Sequence, residues 1–272
     1  MPRFAANLSL LFPELPPLAR IDAARRAGFA AVEIQFPYEV PAREWQRALA
    51  DAGMPLVLFN VAAGDLMAGG DGLAGVPGRE AAFAQALEQC ADYVRVLKPG
   101  CVNVLAGRQP ESVPLADCLG VLQRNLGRAV RVLSPSGVTV TVEAINRHDM
   151  PRFLLTDFAS MEAAVTAVPG TAMQFDIYHM ARAAEPLATH IAAHGARFGH
   201  VQFADVPGRG APGSGQLDFP ALFAALDASG YRGWCGAEYR PAAAAGTGVT
   251  QATFSWLARA RGGLPSESRG GL

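Results

Sequence analysis

Eight short runs of strand character recur along the chain, each followed by loop or helical pattern, with no linker or shift of composition between them. The strand runs are "RFAANLSL", "AVEIQFP", "PLVLFNV", "CVNVLAG", "VTVTVEAIN", "AMQFDIY", "GHVQFAD" and "WCGAEYR". Between them lie amphipathic segments such as "LARIDAARRAG", "REAAFAQALEQCADYVRVL", "LADCLGVLQRNLGRAVRVL", "FASMEAAVTAV" and "FPALFAALDASG". Several stop at a glycine, the residue favoured just past a helix C-terminus. Strict alternation calls for a parallel sheet, and eight units call for a closed (β/α)8 TIM barrel, with a doubly wound open sheet as the second architecture. The length of 272 residues suits one such barrel, which typically takes about 250. The expected organisation is a single α/β domain over 1–262 and a disordered polar tail over 263–272, "GLPSESRGGL".

Side chains alternate faces along a strand, so parity tells which residues share a face. In "VTVTVEAIN", Thr139, Thr141 and Glu143 oppose Val138, Val140 and Val142. In "AMQFDIY", Gln174 and Asp176 oppose Met173, Phe175 and Ile177. His200 and Gln202 oppose Val201 and Phe203, and Gly236 and Glu238 oppose Cys235 and Ala237. Asn7 and Ser9 oppose Phe4, Ala6 and Leu8 in the first strand. Four consecutive strands thus carry a polar group on the inward face near their C-terminal ends, where barrel active sites lie.

Neighbouring strands stand about 4.8 Å apart, so Glu143, Asp176, Gln202 and Glu238 can converge on one point. Three crowded carboxylates raise one another's pKa unless a cation neutralises them. A divalent metal is the economical answer; the other reading is a set of interior polar groups paired with one another. An all-oxygen donor set suits Mg²⁺ or Mn²⁺ better than Zn²⁺.

Composition removes other chemistries. The formal charge is −1 and no basic stripe is available for a phosphate backbone, which argues against nucleic acid. The cations are 22 arginines and one lysine, Lys98, placed in "VLKPG" where a helix stops. Schiff-base and pyridoxal-phosphate enzymes need a buried lysine, so both classes are disfavoured. Cys90, Cys101, Cys118 and Cys235 form no C-x-x-C pair and read as reduced thiols of a cytoplasmic protein. No run approaches the roughly 20 apolar residues of a membrane span. "GDGLAG" (70–75) and "GRGAPG" (208–213) match G-x-G-x-x-G, but neither sits between a strand and the helix it would open, so both read as loops at the barrel mouth. "HIAAH" (190–194) lacks the glutamate of a zinc helix and reads as two histidines outside the barrel. His200 reads as a core histidine one layer below the converging carboxylates, or as part of their site.

With these residues in place, the chain resembles the hydroxypyruvate isomerase family among the xylose-isomerase-like barrels. The likeness runs through "RFAANLSLLF", "AAGD", "PGRE", "VEAIN", "QFDIYHM", "GHVQFAD", "GRGAPGSGQLDF" and "GWCGAEYRP". It implies a divalent metal held by Glu143, Asp176, Gln202 and Glu238, with Glu143 and Glu238 as the acid/base pair. It also implies that His179 contacts substrate oxygens. Related ketose 3-epimerases usually carry histidine where this chain has Gln202. The reaction it implies interconverts hydroxypyruvate and tartronate semialdehyde, or isomerises a longer 2-oxo acid such as 2-oxotetronate, through an enediolate. A ketose 3-epimerase, a sugar-acid dehydratase and a non-enzymatic sugar-acid-binding barrel are the alternatives. Arg209 is the first candidate for the substrate carboxylate. Arg147 and Asp149 are further candidate substrate contacts, although plain surface-loop residues would look the same. The expected partner is a small hydroxy-oxo acid, with no nucleic acid and no membrane; a homo-oligomer is compatible with the sequence.

Overall fold

Each strand run hydrogen-bonds to the runs before and after it in sequence, and the last returns to the first. The computed structural model describes residues 1–241 and 253–260. The expected tail at 263–272, and the domain boundary at 262, lie outside the described residues. The strands are β1 (Arg3–Asn7), β2 (Ala31–Glu33), β3 (Leu56–Asn60), β4 (Cys101–Asn103), β5 (Thr139–Glu143), β6 (Thr171–Asp176), β7 (Phe198–Phe203) and β8 (Trp234–Ala237). All pair in parallel in the order β1 to β8, and β8 closes on β1 through Phe4 opposite Cys235 and Ala6 opposite Ala237. The chain is a closed (β/α)8 barrel, as the alternation requires, and not an open sheet.

Helices cover the outside: α1 (Ala19–Ala27), α2 (Ala42–Ala52), α3 (Glu80–Leu97), α4 (Leu115–Leu133), α5 (Phe158–Ala167), α6 (Ile177–Arg182), α7 (Leu187–His194), α8 (Phe219–Ala228) and α9 (Ser255–Ala260). α1 and α2 end at Gly28 and Gly53, both left-handed. Lys98 ends α3 in the same conformation at φ 49°, a surface stop and not a buried amine. Among the described residues no helix is long and apolar enough to cross a membrane. The four cysteines are buried and free, and burial raises their thiols.

Outward-facing strand residues pack on the helices. Phe4 on β1 meets Phe223 on α8 at 4.9 Å between ring centroids and Trp256 on α9 at 5.2 Å, and Phe203 on β7 joins them. Burying side chains of this size stabilises by about 1.5–3 kcal/mol each. The barrel interior is different. A small apolar cluster of Ala5, Ala31, Val57, Leu58 and Cys101 fills its lower part. Above that floor, Asn7, Glu33, Asn60, Asn103, Glu143, Gln174, Asp176 and Gln202 all point inward and are buried. Register shifts fall at Val32/Glu33 in β2 and at Met173/Gln174 in β6, two positions that feed this polar layer.

Candidate active site

The parity of β5 to β8 delivers its polar residues to one pocket of about 170 Å³ at the C-terminal ends of the strands. Glu143, Gln202, Glu238, His179, Arg209 and Asp149 all line it. That volume is below the roughly 300–1,000 Å³ usual for drug-sized ligands and suits a small metabolite. A larger cleft of about 460 Å³ lies on the outer face against Leu217, Phe219, Phe223 and Trp256. It is apolar and far from the convergent carboxylates, so the chemistry belongs to the smaller pocket.

Glu143 ends β5 with both oxygens taken: Asn103 Nδ2 donates to Oε1 at 2.9 Å and Gln174 Nε2 to Oε2 at 3.1 Å. Burial, then the charges of Glu238 and Asp176, push its carboxyl well above the usual range. Glu238, one residue past β8, accepts from Asn7 Nδ2 at 3.1 Å, Gln35 Nε2 at 2.8 Å and Arg209 Nη2 at 2.5 Å. Burial raises Glu238 too, with the Arg209 guanidinium opposing the rise. Burial alone would lower Arg209, but Glu238, Asp176 and Glu143 outweigh it and hold the guanidinium firmly charged.

Asp176 does two jobs in "QFDIYHM". It ends β6, and its Oδ1 caps α6 by accepting from Tyr178 N at 2.7 Å and His179 N at 3.2 Å. Burial raises its carboxyl against the pull of Arg209. His179 therefore stands on a helix that starts directly at the strand end. Asn146 Nδ2 lies 2.7 Å from His179 Nδ1. An amide nitrogen only donates, so Nδ1 accepts and Nε2 carries the ring hydrogen. Burial, then Arg209, lowers His179 to about 3, which leaves a neutral imidazole with one N–H donor.

The remaining candidates separate. Asp149 reaches the pocket rim, where Asn146 Nδ2 donates to it at 3.2 Å. Arg147 is exposed and its Nε donates to Thr156 Oγ1 at 3.1 Å, which turns the guanidinium away from the pocket wall. Arg240, which the sequence did not single out, lines the pocket as an exposed rim residue. His190 and His194 sit on α7 outside the barrel, paired with Glu185 and Glu162. His200 lies beneath the pocket with its Nε2 2.6 Å from Glu33 Oε2. Glu33 itself was missed, although Ala31 and Glu33 share the inward face of β2 by the same alternation.

The loop that carries Arg209 is built around one buried carboxylate. Asp205 accepts from the backbone N–H groups of Val206, Gly213, Gly215, Gln216 and Leu217 at 2.8–3.0 Å. Two glycines of "GRGAPG" serve this fold-back: Gly210 N donates to Asp205 O at 3.2 Å, and Gly213, at φ 86°, gives its N–H to the Asp205 carboxylate; just past the motif, a Cβ on Gly215 would stand 2.0 Å from Val206 O.

A divalent cation is compatible with the donor chemistry here. Glu143, Gln202 and Glu238 line the pocket, while Asp176 is buried and is not part of its lining; burial first raises all three acids, with the charges of Glu238 and Asp176 adding at Glu143, those of Asp176 and Glu33 at Glu238, and that of Glu33 at Asp176. In this arrangement the oxygens of Glu143 and Glu238, the Gln202 amide oxygen and Asp176 Oδ1 accept from protein donors, Asp176 Oδ2 lies 3.6 Å from His179 Nε2, and among the described residues no three His, Cys, Asp or Glu side chains form a ready-made metal cage.

Comparison with known proteins agrees with the fold and the motifs. The model of the xylose isomerase-like TIM barrel family matches residues 21–260. A 2-oxo-tetronate isomerase from Cupriavidus necator is 40% identical over 259 residues, covering 94% of this chain and 98% of that protein. The hydroxypyruvate isomerase of Escherichia coli is 36% identical with the same coverage. Among solved structures, a family 2 AP endonuclease from Brucella melitensis superposes with a TM-score of 0.89 at 36% identity, covering 95% of this chain and 99% of that one. This chain belongs to the xylose isomerase-like TIM barrel family, in the branch that holds the hydroxypyruvate and 2-oxo-tetronate isomerases.

Proposed function

We propose that the pocket isomerises a small 2-oxo acid, hydroxypyruvate to tartronate semialdehyde or a longer homologue such as 2-oxotetronate, by proton transfer through an enediolate. One observation carries the reading. Two buried glutamates, Glu143 and Glu238, reach one small pocket from nonadjacent strands, each oriented by amide donors. In hydroxypyruvate the hydroxymethyl carbon loses one proton and the neighbouring oxo carbon gains one, while the hydroxyl hydrogen ends on the former oxo oxygen. One glutamate takes the carbon-bound proton and the other returns one; a positioned group of this kind contributes about 10²–10⁴-fold. His179, neutral and presenting Nε2–H, donates to a substrate oxygen. Arg209 faces the same space and offers a forked cation to the carboxylate, with Asp149 at the rim beside it.

Glu143, Asp176, Gln202 and Glu238 would hold a Mg²⁺ or Mn²⁺ ion. When bound, such an ion polarises the oxo group and acidifies the adjacent C–H. The test is a panel of small hydroxy-oxo acids and ketoses assayed with Mg²⁺ and with Mn²⁺. Turnover of the oxo acids, lost on exhaustive chelation and restored by either ion, is the expected result. Epimerisation of ketoses without action on oxo acids would replace this reading, as would full activity in protein shown to be metal-free by elemental analysis.

A further inference from the structure

Glu33 is a carboxylate with no accessible surface at the end of β2, and no step above uses it. Its surroundings are unusually directional. Asn7 Nδ2 and Gln202 Nε2 both donate to its Oε1, each at 2.8 Å, and His200 Nε2 stands 2.6 Å from its Oε2. The inward position opposite it on β8 is a glycine, Gly236, where a Cβ would lie 2.1 Å from Glu33 Oε2 and 2.4 Å from its Cδ. The carboxylate thus occupies the room that a side chain at 236 would take.

Gln202 is held the same way round from its other side. Gln174 Nε2 donates to Gln202 Oε1 at 2.6 Å, and Gln174 cannot turn over freely because the same Nε2 also donates to Glu143 Oε2 at 3.1 Å, a carboxylate oxygen that would meet an amide oxygen if it did. Reversing the Gln202 amide would set its oxygen against the Glu33 carboxylate and its NH₂ against the NH₂ of Gln174. Two hydrogen bonds would become two like-with-like contacts in a buried setting, where unmade bonds are expensive. The carbonyl oxygen keeps a second lone pair, and Gln202 lines the pocket. Asn7 carries the same control to the end of the neighbouring strand β8: its Nδ2 bridges Glu33 Oε1 and Glu238 Oε1, while its Oδ1 accepts from Ser9 N at 3.0 Å.

We propose that Glu33 is the positioning residue of this site. From below the pocket it fixes Gln202 with its oxygen available to the pocket, and through Asn7 it fixes the carboxylate of Glu238. Its contribution to turnover rests on the isomerase reading above; its control of the Gln202 amide does not.

Two variants test this. Glu33→Met keeps the length but removes both oxygens, so Asn7, Gln202 and His200 all lose the carboxylate they face. Gly236→Ala changes no polar group but drives a methyl into the space of the Glu33 carboxylate. Each is measured for kcat and KM on the turned-over oxo acid, for melting temperature, and by NMR for exchange protection of the Gln202 side-chain NH₂, assigned by its absence in Gln202→Glu. The expected result is a tenfold or greater fall in kcat, KM within about threefold, and loss of NH₂ protection in both variants, measured below their melting temperatures, which should be lower than the parent's. The double variant should be no worse than the worse single. If Glu33→Met does not fold, Gly236→Ala carries the same comparison. Retained NH₂ protection in a folded variant overturns the proposal whatever happens to kcat, and so does a kcat within twofold of the parent. A parent inactive on every oxo acid removes the isomerase reading, and the NH₂ measurement still decides the role of Glu33.

Discussion

Arg209 Nη2 lies 2.5 Å from Glu238 Oε2, and only 17% of the arginine side chain and 6% of the glutamate side chain are exposed. The arginine reached from a mouth loop therefore already neutralises one of the two proposed acid/base groups. Its ring neighbour Tyr178, 5.2 Å from the guanidinium carbon, adds a face that fixes the fork.

From this pair, Arg209→Ala should damage two parameters at once. KM for oxo acids should rise because the carboxylate loses a forked donor, and kcat should fall because Glu238 loses its cation. Stability should drop as well, toward the lower end of the ~3–5 kcal/mol seen on breaking buried pairs, since the arginine keeps some solvent. Arg209→Lys should restore part of kcat and little of KM, because a point charge serves Glu238 better than it serves a planar carboxylate. Steady-state kinetics with both variants checks this; an unchanged kcat in Arg209→Ala would show that the ion pair is irrelevant to Glu238.

Glu143→Gln and Glu238→Gln should each lower kcat by roughly 10²–10⁴, since an amide can neither take nor give the proton. Glu238→Gln leaves the largely buried Arg209 without its partner, and Glu143→Gln turns an NH₂ toward an amide donor, so melting temperature should fall in the first and change less in the second. His190→Ala is the control from outside the barrel. Its ring pairs with Glu185 and stacks on Phe158 at 3.9 Å, so its loss should cost stability of about 1 kcal/mol and leave kcat unchanged. A kcat loss at His190 matching that of the glutamates would contradict the placement of α7.

What could be read in advance depended on how local the signal was. Glu143, Asp176, Gln202 and Glu238 were legible because period-two alternation is written in each strand by itself, and strand ends are where a barrel works. Glu33 obeys the same rule, but β2 has three residues and a register shift at Val32/Glu33, so its place in the layer depends on pairing with Asn7 on the neighbouring strand β1. Asp205 was invisible for a different reason: its partners are backbone N–H groups, which leave no mark in side-chain identity. The start of α6 at Ile177 was hidden likewise, because Asp176 had already been assigned to metal and its capping capacity went unread.

Asp205 gives a stability prediction that feeds back on the site. Removing it leaves five backbone N–H donors without their acceptor, four of them in part-buried bonds, and hydrogen bonds to a charged group are worth about 1.5–3 kcal/mol each without being additive. Asp205→Ala should therefore lower stability by several kcal/mol and loosen the 206–217 segment. Because Arg209 rides on that segment, KM for oxo acids should rise in step. Asp205→Asn should be intermediate, with one oxygen acceptor in place of two. Denaturant unfolding and protease sensitivity of the segment provide the check, and a stable Asp205→Ala with parental KM would remove Asp205 from any supporting role.

The route taken by hydrogen is the sharpest test of the two glutamates. An isomerase of this kind can move hydrogen as a hydride directly between carbons, or as a proton held by a base. Glu143 on β5 and Glu238 past β8 approach the pocket from nonadjacent strands, which suits a proton taken on one side and delivered from the other. The carboxylate and oxo group of the substrate also make an enediolate accessible, so a hydride route has less to offer. A proton resting on a carboxylate can exchange with water before it is returned. Isomerisation in D₂O should therefore place deuterium on the carbon that gains hydrogen, at least in part. The measurement is taken over early forward turnover, before reversal can add label, by NMR or mass spectrometry of the product. The companion experiment uses substrate deuterated at the hydroxymethyl carbon in ordinary water, where the label should be diluted by protons. Full retention of the original hydrogen in both experiments would point to hydride transfer and would withdraw the acid/base roles from Glu143 and Glu238, whatever their effects on kcat.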